Sequence, residues 1–191
     1  RATMIGDELA IGATATIGGS LANGASTAQA QGTLHVSQVD ATVRFGSELL
    51  IGEATGHGLS SSAAAGAATL DQITGSFTVD GDVRVGRAST TGAAEAMASG
   101  SLDISNVQFN AHVGRLDIGI ASAVHSSTAS SAGAFSIDSF SQGFVSDNDL
   151  RVGIAHAESL SHATGAGTFS LSNLATGGIE LRTSALFGDA F

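Results

Sequence analysis

The chain has no cysteine, proline, tryptophan, tyrosine or lysine. Without cysteine there is no disulfide and no thiolate metal site. Without lysine there is no Gly-Lys-Ser/Thr phosphate loop, and the glycine-rich stretches lose that meaning. Without tryptophan and tyrosine, the aromatic girdles of a membrane β-barrel are missing, as are the ring platforms that hold sugars. No apolar run approaches the ~20 residues of a membrane-spanning helix, so no membrane insertion is expected. All seven basic residues are arginine, against 17 acids, for a net charge of −10. Nucleic acid wants clustered lysine and arginine and an anionic membrane surface wants the same, so neither is an expected partner.

What is present is a phrase that returns: large aliphatic, any residue, Ile or Val, Gly, any residue, Ala or Thr. It reads Leu9-Ala-Ile11-Gly12, Leu49-Leu-Ile51-Gly52, Val83-Arg-Val85-Gly86, Leu116-Asp-Ile118-Gly119 and Leu150-Arg-Val152-Gly153, with a worn copy at Ala185-Leu-Phe187-Gly188. The glycines step by 40, 34, 33, 34 and 35 residues. Such a period marks a repeat architecture. Alternation at period two within each copy predicts a strand. A second strand follows in each repeat, anchored at Leu34, Leu70, Leu102, Phe135 and Phe169, and a weaker third apolar group comes after it. The longer first step predicts a small insertion near Gly18 to Gln31. The expected fold is therefore an all-β, solenoid-like stack of about five strand–turn–strand repeats of 33–40 residues in one domain. The repeats start near 8, 48, 82, 115 and 149, with a partial sixth near 184. A long antiparallel meander or sandwich is the alternative.

Charges favour the stack. One column of the phrase holds Arg84, Asp117 and Arg151, another has Arg115 between Asp82 and Asp149, and a third sets Glu53 beside Arg87. Directly stacked opposite charges contribute ~0.2–1 kcal/mol each, so they serve mainly to mark parallel register. The Gly and Ala positions predict one strand face of small side chains, open to close approach.

The chemistry on offer is thin. Asp80-Gly-Asp82 and Asp147-Asn-Asp149 are the oxygen-rich turns best suited to Ca²⁺, so Asp80, Asp82, Asp147 and Asp149 are the metal candidates; no other cofactor is implied. The six histidines share no column, and the serines lack a nucleophile elbow. No enzyme is expected.

In plan the chain resembles curli-type functional-amyloid subunits: strand–turn–strand repeats, rich in Gly, Ala and Ser, acidic and poor in aromatics. It lacks the Gln and Asn ladders of curli repeats, and its period is longer. The resemblance implies a secreted fibre subunit. The expectation is a self-assembling structural protein of the cell exterior, in a fibre, sheath or biofilm matrix, whose partner is itself. Leu9, Ile11 and Gly12 of the first phrase would then meet Ala185, Phe187 and Gly188 of the last by strand-edge pairing. A repeat segment of a large surface adhesin, binding carbohydrate or protein, is the alternative.

Overall fold

The computed structural model shows an all-β fold, with no helix among the described residues. It describes residues 2–5, 8–124, 128–158, 162–173 and 178–191. After β1 (Ala2–Ile5), each coil has three strands rather than two. The first is β2 (Glu8–Ile11), β3 (Ala15–Gly24) and β4 (Thr27–Val39). The second is β5 (Thr42–Phe45), β6 (Leu49–Gly58) and β7 (Ser61–Ile73). The third is β8 (Phe77–Val79), β9 (Val83–Thr90) and β10 (Ala96–Val107). The fourth is β11 (Ala111–Val113), β12 (Leu116–Ala123) and β13 (Thr128–Asp138). The fifth is β14 (Phe144–Ser146), β15 (Leu150–Ala157) and β16 (His162–Ser172). Then come β17 (Ile179–Leu181) and β18 (Ala185–Phe187).

These strands stack into three sheets. Sheet I runs β1-β2-β5-β8-β11-β14-β17, sheet II β3-β6-β9-β12-β15-β18 and sheet III β4-β7-β10-β13-β16. Among the described strands, β1 with β2 is the one antiparallel pair; the remaining pairs are parallel, coil over coil. The fold is a β-solenoid of about five turns, and the meander is excluded. The weak third group is a full side of the solenoid, short because each of its strands has only three or four residues.

The first coil corrects the sequence register. Ile51 pairs with Ile17, not Ile11, and Leu49 with Ala15. Leu9 and Ile11 pair with Val43 and Phe45 in sheet I. The phrase of the first coil is thus Ala15-Thr-Ile17-Gly18, six residues later than the look-alike at Leu9-Ala-Ile11-Gly12. With Gly18 in place the steps become 34, 34, 33, 34 and 35, and no insertion remains. The second-strand anchor in the second coil is likewise Ala68, which pairs with Leu34 and Leu102. Every coil then has 16 residues from phrase glycine to anchor.

The phrase glycine decides the cross-section. Gly18, Gly52, Gly86, Gly119, Gly153 and Gly188 all have positive φ, between 61° and 70°. They fall outside the ladder pairings of their strands, as in Ile118↔Val152 followed by Ile120↔Ile154. Each is a bulge that resets side-chain alternation. Leu116 and Ile118 point inward before it, and Ala121 and Ala123 point inward after it. The expected division into a large-residue face and a small-residue face is therefore replaced by two cores on one side. A wide core of Leu, Ile, Val and Phe lies among the three sheets. A narrow one of alanines, including Ala54, Ala88, Ala121 and Ala155 against Ala28, Ala64, Ala96 and Ala129, lies between sheets II and III. The boundary between them is a pinch. A Cβ on Gly52 would collide with the Ala65 carbonyl, and one on Gly66 with the Ile51 carbonyl and the Gly86 amide. Side chains are excluded there because two backbones occupy the space.

A second positive-φ column closes each sheet III strand: Gln38, Gln72, Asn106, Ser139 and Asn173, with φ of 52–56°. Here the chain turns from sheet III into sheet I.

Candidate functional site

The four aspartates proposed for calcium sit at corners before sheet II, and each is already bonded to side chains of this chain. Asp80 accepts from Arg44 Nη2 at 2.7 Å and Nε at 3.2 Å. Asp82 lies 3.1 Å from Arg84 and 3.9 Å from Arg115. Asp147 is shared by His112 at 2.9 Å and Arg182 at 2.7 Å. Asp149 accepts from Ser184 at 2.8 Å and Thr183 at 3.0 Å. In the second pair the bonds favour the ionised carboxylate: His112 leads in holding Asp147 below its ordinary pKa, and Ser184 in holding Asp149 below its own. Among the described residues no group of three or more His, Asp or Glu is placed to hold a metal ion.

The charge columns are real ladders with one shift of partner. Arg151 makes a two-pronged pair with Asp117, Nε–Oδ1 2.7 Å and Nη2–Oδ2 2.6 Å. Arg87 reaches Glu53 at 3.5 Å. Arg84 turns away from Asp117, toward Glu48 at 3.2 Å and Asp82. Sheet III adds a ladder that sequence reasoning missed: Ser105 and Asn106 donate to Asp71, and Ser172 and Asn173 donate to Asp138. Each acid bonds the coil above it. The signal was the alternating column Ser37, Asp71, Ser105, Asp138, Ser172.

The described histidines do not gather. His57 meets Thr91 at 3.1 Å, His112 meets Asp147, and His156 lies 3.5 Å from Glu158; His125 lies outside the described residues. Inside the alanine core, Ser62 Oγ and Ser131 Oγ are buried and find no hydrogen-bond partner among the described residues.

Two surface features remain. Along the outside of sheet III runs a shallow groove of about 670 Å³, lined by Gln29, Gln31, Ala63, Ala65, Met97, Ser99, Ser130 and Ala132 among others, with no charged residue. The second feature is the pair of stack ends. In the middle coils Ile51, Val85, Ile118 and Val152 fill one buried column. The same column is half-open at Ile17 and exposed at Phe187. On β16, Phe169 and Leu171 are 38% and 43% exposed, although Phe135 and Ile137 beneath them are buried. Of the residues expected to join chains, Ala185, Phe187 and Gly188 lie at such an end. Leu9 and Ile11 do not have a free edge, because β1 and β5 flank β2. Gly12 has no neighbour within 4 Å of a would-be Cβ and is not a pinch glycine.

No protein-family model, no curated protein and no solved structure matches this chain.

Proposed function

We propose that this chain is a non-enzymatic structural protein of the cell exterior, a subunit of a fibre, sheath or biofilm matrix that lengthens by adding copies of itself end to end. One observation carries the proposal: coil after coil repeats the same parallel register and the same glycine bulge, so the edge of any one coil is a template for another of the same kind. A second copy carries that matching edge, and edge pairing supplies main-chain hydrogen bonds as well. The acidic charge accords with a building material kept soluble until it assembles.

Purified chain examined by negative-stain microscopy over a concentration series should form long filaments, and Phe187→Arg should suppress them while circular dichroism stays that of a β-protein. A chain that remains monomeric at high concentration overturns the proposal. A second reading, a repeat segment of a secreted adhesin, is favoured by the uncharged groove on sheet III. It predicts a monomeric rod that retains a glycan or peptide on an array.

A further inference from the structure

The outer face of sheet III differs from the other two. Sheet II carries Glu53, Arg87 and Arg151 on its outside, and sheet I carries Arg44 and Glu180. On sheet III the three central outward columns run from positions 29, 63, 97, 130 and 164 to positions 33, 67, 101, 134 and 168. They hold Gln, Thr, Ser, Ala and one Met, and no charged residue. A soluble surface usually carries charge at about a quarter to a third of its positions, and charge is what keeps exposed sheets apart. The groove described above lies on this face. Two copies of a chain with net charge −10 can approach each other there without opposing like charges.

We propose that this face binds a second copy of the chain, side by side with the rods antiparallel, about a two-fold axis that runs along the strands between β7 and β10. Such an axis sets each outward column on itself and reverses the order of the coils, so β4 faces β13 and β7 faces β10. Gln29 then lies over Ser130, Gln31 over Ala132 and Thr33 over Ala134. Met97, 49% exposed, lies over Ala63. Each long side chain in these columns meets a short one, which lets two layers interdigitate. At the margin His35 meets Ser136 and Asp103 meets Thr69, so no like charges are opposed. The axis repeats every contact, as a self-complementary interface requires.

A two-fold axis along the rod, through the Ser99 column, is the other way to lay this face on itself. It would set Gln31 on Gln31 and bring Asp103 opposite Glu95, two acids together. The antiparallel arrangement avoids both. Four strands and four outward columns, at ~6.6 Å by ~4.8 Å per position, give roughly 500 Å² per copy. The pair then buries about 1,000 Å², the size that a specific interface must clear. The contact is lateral and needs nothing from either end of the stack. It goes beyond the end-to-end reading and is independent of it: stacking lengthens a rod, whereas this pairing lays rods side by side.

Sedimentation of the full chain, over concentrations below those that give filaments, should show a reversible dimer. Ser99→Arg adds a charge at an exposed position facing Ala65. It should weaken the dimer by more than roughly tenfold, with an unchanged β-sheet spectrum and unfolding midpoint. Ser122→Arg, on the outside of sheet II, should leave the dimer intact. The chain has no cysteine, so register can be read with introduced thiols. Gln31→Cys/Ala132→Cys should join two copies through a short bis-maleimide. Gln31→Cys alone should not, because the two copies of position 31 lie three strands, ~14 Å, apart. A chain that stays monomeric throughout the series overturns the proposal. If that monomer instead holds a glycan on an array and loses it in Ser99→Arg, the groove belongs to the adhesin reading. A dimer unmoved by Ser99→Arg overturns the face, and one cross-linked by Gln31→Cys alone overturns the antiparallel register. Filaments are a separate readout: their absence at higher concentration, beside a dimer that Ser99→Arg breaks, overturns end-to-end growth and leaves the pairing standing.

Discussion

Asp117 is 2% exposed, and both its carboxylate oxygens accept bonds from Arg151 of the next coil. The same bonds, with Asp117 as the leading cause, hold the Arg151 guanidinium charged above its ordinary pKa. Removing one partner of a fully buried pair costs about 3–5 kcal/mol, because the other charge is left unpaired. Arg151 is itself partly in water, so Arg151→Met should destabilise by about 1–3 kcal/mol. The double variant Asp117→Leu/Arg151→Met should recover most of the loss. Denaturant unfolding of the two single variants and the double gives the coupling, and additive losses would show that the pair is not one unit.

The buried serines point the other way. Ser62 sits between Ala28 and Ala96 in its column, and Ser131 follows Ala98. Neither hydroxyl has a partner among the described residues. A buried, unpaired hydroxyl is a liability of about 1 kcal/mol or more. Ser62→Ala and Ser131→Ala should each move the unfolding midpoint upward at unchanged slope. A fall in midpoint for both would mean the hydroxyls are satisfied in solution.

Acid should loosen the stack through its carboxylate ladders. Asn106 and Ser105 hold Asp71 below its ordinary pKa, and Ser172 and Asn173 do so for Asp138. A folded pKa below the unfolded one means that the unfolded chain binds more protons. The stabilisation is therefore complete above the ordinary carboxylate value of about 4 and disappears as pH falls through the lower folded value. Asp71→Asn/Asp138→Asn should be less stable than the unaltered chain at neutral pH and equal to it once those carboxylates are protonated. A stability gap that stays constant with pH would show that these rungs do not titrate as ladders.

The architecture was legible in the sequence because four coils repeat the phrase cleanly and their charges alternate in sign. Arg151 over Asp117 and Arg87 over Glu53 are meaningful only in a parallel stack. The first coil was not legible by the same rule. Leu9-Ala-Ile11-Gly12 satisfies the phrase by coincidence, whereas the true copy carries a small Ala15 where the four clean copies have Leu or Val. Constant spacing from glycine to anchor was the better guide, since the geometry of a coil is conserved even where its side chains are not. The inward-facing Ala121 was hidden for a different reason. Alternation counts residues, and a left-handed glycine shifts the count without changing composition. At the candidate sites, Asp80, Asp82, Asp147 and Asp149 were visible as oxygen-rich turns. Their partners Arg44, Arg115, His112, Arg182, Thr183 and Ser184 lie in other coils or beyond the turn, where local spacing cannot see them.

The coils are joined to one another chiefly by the ladders of three narrow sheets, and each holds 33–35 residues. Under tension applied along the rod, the outermost coil is the weakest link, and once it peels the next one is in the same position. Each coil would release roughly 115 Å of slack, at ~3.4 Å per extended residue. Pulled from its ends, such a stack would lengthen by equal increments instead of breaking at once.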